Sequence, residues 1–261
     1  DDVLLANLIV LIFAGFETTT GLLCMGVHEL LQRREQWEYL HACLVPGAEL
    51  EVDGARVRVA DLRWSLWSEG VSALDEHDRQ RLAHLGTQLA ASPELVARRA
   101  ALERQEKQLE AAVEEMLRYT APGSVIPLAL NEDLELVLEH ELAVDGRLCR
   151  PGETIRFEKG QMVNVAVDEL NRRCPMGPGR FDPEARGGFD VSRTDNKHHL
   201  SFGRAHSCIG ARLATENMKR ALQAVLQRFP DLELAGQPEP QQFDLFNGLA
   251  TLPVRSRSAR R

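Results

Sequence analysis

Apolar positions crowd the start of this chain with almost no polar break. From Val3 to Phe16 the run is interrupted by Asn7 and Gly15. It is apolar all round, not along one stripe, which predicts a helix buried at the centre of a core. Gly15 and the Glu17-Thr18-Thr19-Thr20 run are poor helix formers and are expected to interrupt it. A second helical pattern runs through His28-Glu29-Leu30-Leu31 and Trp37 to Leu40. Val45-Pro46-Gly47 reads as a turn, and Glu49 to Val59 alternates like a short hairpin with Asp53-Gly54 at its tip. Leu62 to Leu89, with Trp64, Trp67 and Leu74, reads as helix. Ser92-Pro93-Glu94 looks like the start of another.

That next helix, Leu95 to Tyr119, is highly charged, with apolar positions at Leu102, Leu109, Val113, Met116 and Leu117. Pro122-Gly123 ends it. Residues 125 to 165 alternate, with turn signals at Asp145-Gly146, Pro151-Gly152 and Lys159-Gly160, and predict a small antiparallel sheet. Residues 166 to 205 are rich in Gly, Pro, Asp and Arg and read as irregular. Cys208 to Arg228 is the last long helix, and Pro230 to Val254 is turn-rich with short strands. The fold class is mainly α with a small antiparallel β region (α+β). Three stretches emerge, 1–42, 43–100 and 101–261, expected to form one compact domain.

With 261 residues the chain can bury a sizeable core. Its net charge of -8 argues against a nucleic-acid surface. The one basic cluster, Arg255 to Arg261, reads as a disordered tail. Five cysteines (Cys24, Cys43, Cys149, Cys174, Cys208) at irregular spacing suggest neither a disulfide framework nor a zinc site. A reducing, cytoplasmic compartment is expected. The sequence opens Asp1-Asp2, so no secretory leader is expected, and the apolar run is read as too short to span a bilayer.

The chemistry concentrates in Phe202-Gly203-Arg204-Ala205-His206-Ser207-Cys208-Ile209-Gly210-Ala211-Arg212-Leu213-Ala214. A glycine-bearing loop delivers Cys208 to a helix start, where the N–H groups and dipole stabilise a thiolate. A thiolate is the form that ligates iron. The ordinary alternative is a buried free cysteine after a turn.

This stretch resembles the haem-binding loop of the cytochrome P450 family. Three further motifs follow the family's order. Ala14-Gly15-Phe16-Glu17-Thr18-Thr19 resembles its oxygen-binding motif, Glu115-Met116-Leu117-Arg118 its Glu-x-x-Arg helix motif, and Pro178-Gly179-Arg180-Phe181 its arginine-bearing turn. The resemblance implies haem b with Cys208 as proximal ligand. It implies that Gly210 allows close approach to the porphyrin, that His206 and Arg204 face a propionate, and that Phe202 shields the thiolate edge. Gly15 would leave room for oxygen while Glu17 and Thr18 relay protons. The plainer reading of Thr18 is a hydroxyl bonding the preceding turn's carbonyl. Glu115, Arg118 and Arg180 would form a buried ion network that supports the loop. The plainer reading of Glu115 and Arg118 is a solvated pair.

The resemblance covers about 1–42 and 100–254, and the sequence departs from the family in several places. The family's helical region ahead of the oxygen-binding helix has no counterpart here. Residues 43–100 exceed the family's short connection, and Val137 to Phe157 looks like an enlarged hairpin region. The cysteine loop is one residue short and lacks its second glycine, and Val125 to Leu130 carries no arginine for a propionate.

The family implies a haem-thiolate monooxygenase that uses O₂ or peroxide. Its substrate would be a small apolar or carrier-bound molecule, and a ferredoxin or flavoprotein would supply electrons. A second subunit or self-association would cover the face left by the missing region, unless the insert at 43–100 does so. The rival readings are a non-catalytic scaffold or helper subunit that has lost haem, and a haem sensor without turnover.

Overall fold

The structure is a computed structural model that describes residues 2–44, 49–52, 55–58, 93–144, 147–173, 177–203, 207–241 and 246–257. Most of the 43–100 stretch, including the expected Leu62 to Leu89 helix and the Asp53-Gly54 tip, lies outside the described residues, as does Asp145-Gly146. The paired strands β1 (Glu49–Val52) and β2 (Ala55–Arg58) bear out the expected hairpin.

Helix α1 (Asp2–Gln32) is continuous through Gly15. The expected interruption does not occur, because one glycine costs a helix only about 1 kcal/mol and the Thr18 hydroxyl donates back to the Ala14 carbonyl at 2.6 Å. The chain leaves the helical region at Arg33 (φ -121°, ψ 74°), whose guanidinium donates to the Glu29 carbonyl at 3.2 Å. Helix α2 (Arg34–Ala42) follows and buries Gln36, Trp37 and Leu40.

Helix α3 (Pro93–Thr120) starts on a proline, whose missing N–H is no loss in a first turn. Leu109, Ala112, Val113, Met116 and Leu117 are buried at the i, i+3, i+4, i+7, i+8 spacing of one helical face. Ala121, at φ 33°, closes that helix with its N–H on the Leu117 carbonyl. Helix α4 (Val167–Arg173) and a short 3₁₀ turn (Asn196–His198) lie in a stretch that reads as irregular by sequence. Helix α5 (Ala211–Arg228) begins three residues after Cys208 and buries Met218, Leu222 and Leu226, four residues apart.

Helix α1 packs on α2, α3 and α5. Leu22, Val27 and Leu30 of α1 join Trp37, the α3 face, Phe189, Val191 and the α5 leucines in one apolar cluster. The first half of α1 does not join it. Val3, Leu4, Leu5, Leu8, Ile9 and Phe16 are among its exposed side chains, so the expectation that Val3 to Phe16 is buried is overturned. An all-round apolar surface signals a helix that needs cover, but the described residues leave most of this part open. Nor is the helix too short for a bilayer: Val3–Gln32 is long and apolar enough to cross one.

The β region is a nested ribbon. The outer pair is β3 (Val125–Ala129) with β8 (Met162–Ala166), in register from Val125↔Ala166 to Ala129↔Met162. Inside it β4 (Leu134–Val137) pairs with β7 (Thr154–Phe157), and at the end β5 (Leu142–Val144) pairs with β6 (Arg147–Cys149). All three pairs are antiparallel, as the alternation predicts. After α5, β9 (Glu233–Leu234) pairs with β12 (Val254–Arg255), and β10 (Glu239–Pro240) with β11 (Leu249–Thr251).

Candidate functional site

The second half of α3 carries the supporting charges. Arg118 and Glu115 lie one turn apart on its buried face, at 2 % and 0 % exposure. Arg118 donates through Nε and Nη2 to the two Glu115 oxygens, each at 2.8 Å. Its remaining donors reach the carbonyls of Asn171 (3.3 Å) and Gly188 (2.9 Å). Glu115 Oε1 also accepts the Asp190 N–H at 2.8 Å. The pair is buried, not solvated.

The third charge in this network is Arg193, not Arg180. The fully buried Arg193 places Nε 3.8 Å from Glu115 Oε1 and donates from Nη2 to Asp182 Oδ2 at 2.7 Å. Arg180 stays on the surface, with its guanidinium over the rings of Tyr39 (5.2 Å) and Phe181 (5.7 Å). Two local Phe-Asp turns explain the exchange. Asp190 takes the Phe181 and Asp182 N–H groups on its carboxylate, at 2.6 and 2.8 Å, and ties the Arg180 turn to the turn that bears Arg193. Arg193 then follows Asp190 into the interior, while Arg180, one residue before Phe181, is left outside.

Asp182 gives this turn a pH dependence. Its carboxylate accepts the N–H groups of Arg186 (3.0 Å), Gly187 and Gly188 (both 3.1 Å) as well as the Arg193 guanidinium. Burial alone would raise its pKa. The Arg186 N–H and the Arg193 guanidinium, with Gly187, outweigh burial and hold it below the ordinary carboxylate value. A carboxyl depressed in the folded state contributes stability that is whole above the unfolded value of about 3.9 and is lost as pH falls through the folded one. Acid unfolding followed by circular dichroism is therefore expected to steepen below about pH 4. Asp182→Asn should lower stability at neutral pH and flatten that limb; an unchanged limb would contradict the assignment.

The cysteine loop is pinned to α3 from beneath. Asn171 of α4 accepts the Leu200 N–H at 2.7 Å and donates to the Ser201 hydroxyl at 3.0 Å. Ser201 in turn donates to the Leu117 carbonyl at 2.6 Å. Asn196 donates to the Ala111 carbonyl at 2.9 Å, and His199 Nε2 lies 3.0 Å from Glu114. Gly203 adopts φ 72°, a turn conformation that a side chain would strain, and its N–H reaches the Leu200 carbonyl at 2.8 Å. The Cys208 N–H then donates to the Phe202 carbonyl at 2.8 Å, so the two predicted residues are joined through the backbone. Arg204 and His206 lie outside the described residues.

Cys208 is an exposed free thiol two residues ahead of Gly210, the N-cap of α5. Among the described residues, a side chain at Gly210 would have only the Cys208 sulfur, at 3.8 Å, within contact range. Ile209 and Leu213 beside it are 88 % and 67 % exposed. On α1, a side chain at Gly15 would meet none of the described residues within 4 Å, Thr18 is back-bonded to Ala14, and Glu17 accepts from Gln241 Nε2 at 3.1 Å. Asn171, Ser201, Arg193 and Gln241 carry no local motif, and the sequence reading passes over them.

No family model matches the chain. It is 34 % identical over 158 residues to the polyketide biosynthesis cytochrome P450 PksS of Bacillus subtilis, an overlap of 59 % of this chain and 33 % of the relative. It is 36 % identical over 160 residues to the cytochrome P450 monooxygenase PikC of Streptomyces venezuelae, covering 58 % of this chain and 32 % of that protein. The solved structure of P450BioI in complex with a hexadecenoic acid-ligated acyl carrier protein matches 95 % of this chain and 43 % of that chain, with a TM-score of 0.52 and 24 % identity, a likeness of fold. The chain thus spans about a third of the length of the curated relatives it matches. P450s hold haem b through a cysteine thiolate, the donor that Cys208 offers. In its motifs, its fold and its sequence, the chain is similar to part of the cytochrome P450s.

Proposed function

We propose that the chain is the cysteine-bearing part of a P450-type haem-thiolate oxidoreductase, with Cys208 as the iron ligand. The observation that carries this is an exposed cysteine at the start of α5, on a loop pinned to the helix of the buried Glu115–Arg118 pair. The surroundings fit a flat, largely apolar group. Ile209, next to Cys208, and Leu213 of α5 are exposed, Gly210 presents no side chain, and a side chain at Gly15 on α1 would meet none of the described residues within 4 Å.

Haem b bound through a thiolate supplies the activation of O₂ or peroxide. Around it, Glu17 holds and passes protons at its carboxylate. Thr18, with its hydrogen committed to Ala14, keeps lone pairs free to accept a hydrogen bond. Phe202 would shield the thiolate edge, and Arg204 and His206 would hold the propionates. Glu115, Arg118 and Arg193 hold the loop and take no part in the chemistry.

The substrate is a small apolar molecule or one delivered on a carrier protein. The acyl carrier protein complex of P450BioI and the polyketide role in the name of PksS support that class. Electrons come one at a time from a ferredoxin or flavoprotein in the cytoplasm. The apolar half of α1 is covered by a second polypeptide or a second copy of the chain.

The test is the absorption spectrum of the reduced, carbon monoxide-bound protein after reconstitution with haem. A thiolate-type Soret band, well to the red of a histidine-ligated haem, is expected. Absence of haem uptake, or a histidine-type band, would overturn the reading in favour of a scaffold, or of a haem site completed only by a partner.

A further inference from the structure

We infer that Gln241 is a positioning residue for Glu17, and that the β10–β11 hairpin exists in part to bring its amide to that carboxylate. The inference rests on Glu17 being the acid of the proton relay. The contact joins residues far apart in sequence, at opposite ends of the chain: Gln241 Nε2 lies 3.1 Å from Glu17 Oε2. An ionised carboxylate only accepts hydrogen bonds, so the amide nitrogen must face it.

The rest of the hairpin holds that orientation. The Gln241 N–H donates to the Gly248 carbonyl at 3.0 Å. The Gln241 Oε1 faces Gly248, where any side chain would collide with it. From the other side, Asn247 anchors the hairpin to the end of α3. Its Nδ2 donates to the Thr120 and Ala121 carbonyls, both at 3.1 Å, and its N–H to the Pro122 carbonyl at 2.8 Å. Phe246 pairs with Phe13 of α1 edge to face at 5.8 Å. One turn beyond Glu17, Gly21 lets the hairpin backbone approach: a Cβ there would sit 2.8 Å from the Asn247 carbonyl oxygen.

A side chain swinging freely would leave Glu17 to choose its own rotamer. A clamped amide selects one, which is how a neighbouring group places a proton-transferring carboxylate. The sequence around Gln241 is otherwise unremarked by the family's motifs, so the role belongs to the geometry of this chain.

Two readouts test it. The first uses the chain in ¹⁵N-labelled form, without haem. The Gln241 side-chain amide resonances, assigned by their loss in Gln241→Leu, are expected to move in Glu17→Gln and to stay in place in Glu29→Gln. Gly21→Ala, which pushes on the Asn247 carbonyl, should move them too. Resonances that ignore Glu17→Gln would overturn the contact.

The second uses the haem-loaded protein with an electron donor and substrate. Gln241→Leu should lower product formed per O₂ consumed by about tenfold, the scale of one hydrogen bond to a charged group. Its KM should hold, and Gln241→Lys, which keeps an N–H donor, should restore the ratio. The double variant Glu17→Gln, Gln241→Leu should be no worse than Glu17→Gln alone, since both act through one carboxylate. Losses that multiply would overturn the positioning role. Failure to take up haem would sink the enzyme reading and the relay role with it, while the amide shift would still decide whether the hairpin grips Glu17.

Discussion

Replacing Cys208 with serine is expected to abolish the thiolate-type band of the reduced, carbon monoxide-bound protein. The size of the effect is all or none, because an alcohol oxygen does not deliver the electron density of a thiolate to iron. The variant is also a clean one. Cys208 is exposed, and its structural contribution runs through its backbone N–H to Phe202 and its carbonyl to Ala211, which serine keeps. Exposed substitutions of this kind shift stability by no more than about 0.5 kcal/mol. Denaturation of Cys208→Ser should therefore superimpose on that of the parent while the spectrum changes completely. A thiolate band that persists in the variant would assign the ligand to another cysteine and undo the site.

The second large effect is on folding. Glu115→Ala is expected to destabilise the protein by about 3–5 kcal/mol, the scale for breaking a buried ion pair. The side chain accepts two guanidinium donors from Arg118 and the Asp190 N–H, all at 2.8 Å. Its removal leaves the buried Arg118 guanidinium without a carboxylate partner and takes one of two nearby carboxylates from the buried Arg193, which keeps Asp182. Domains of this size have about 5–15 kcal/mol in total, so the variant should unfold at a much lower urea concentration. Glu38→Ala is the comparison. That carboxylate pairs with Arg34 at 3.1 Å on an open surface, and its loss should cost under about 1 kcal/mol. A Glu115→Ala midpoint as mild as that of Glu38→Ala would show that the buried network carries no stability.

These two sites were legible in the sequence for different reasons. Cys208 sits in a motif whose every position is local, so spacing alone places it at a helix start. Glu115 and Arg118 are one turn apart, and a helix brings them together wherever it lies. The network's third member was not legible, because Arg180 and Arg193 each flank a Phe-Asp turn and only the packed structure decides which enters the core. Arg193 does, and Arg180, carried by the more suggestive turn, does not. Gln241 was out of reach altogether: nothing in its neighbours points to a carboxylate near the opposite end of the chain.

The same distinction holds for the helices. The apolar face of α3 from Leu109 to Leu117 could be read position by position and is buried as expected. The first half of α1 could be read as needing burial, but periodicity describes a surface and not its cover. Its exposure follows from what packs nearby, which no pattern within Val3 to Phe16 encodes.

The nested β ribbon has a consequence for the timing of assembly. Its inner pair, β5 with β6, closes a short loop, whereas the outer pairing of Val125 with Ala166 closes one of about forty residues. Closure entropy favours zipping from the tip toward the base. Strand β8 runs directly into α4, and α4 delivers Asn171 to the cysteine loop. A ribbon that zipped one residue out of register would present the wrong face of every strand and would hand Asn171 over displaced along the chain. The seating of the Cys208 loop is thus coupled, through α4 and Asn171, to the registration of this ribbon.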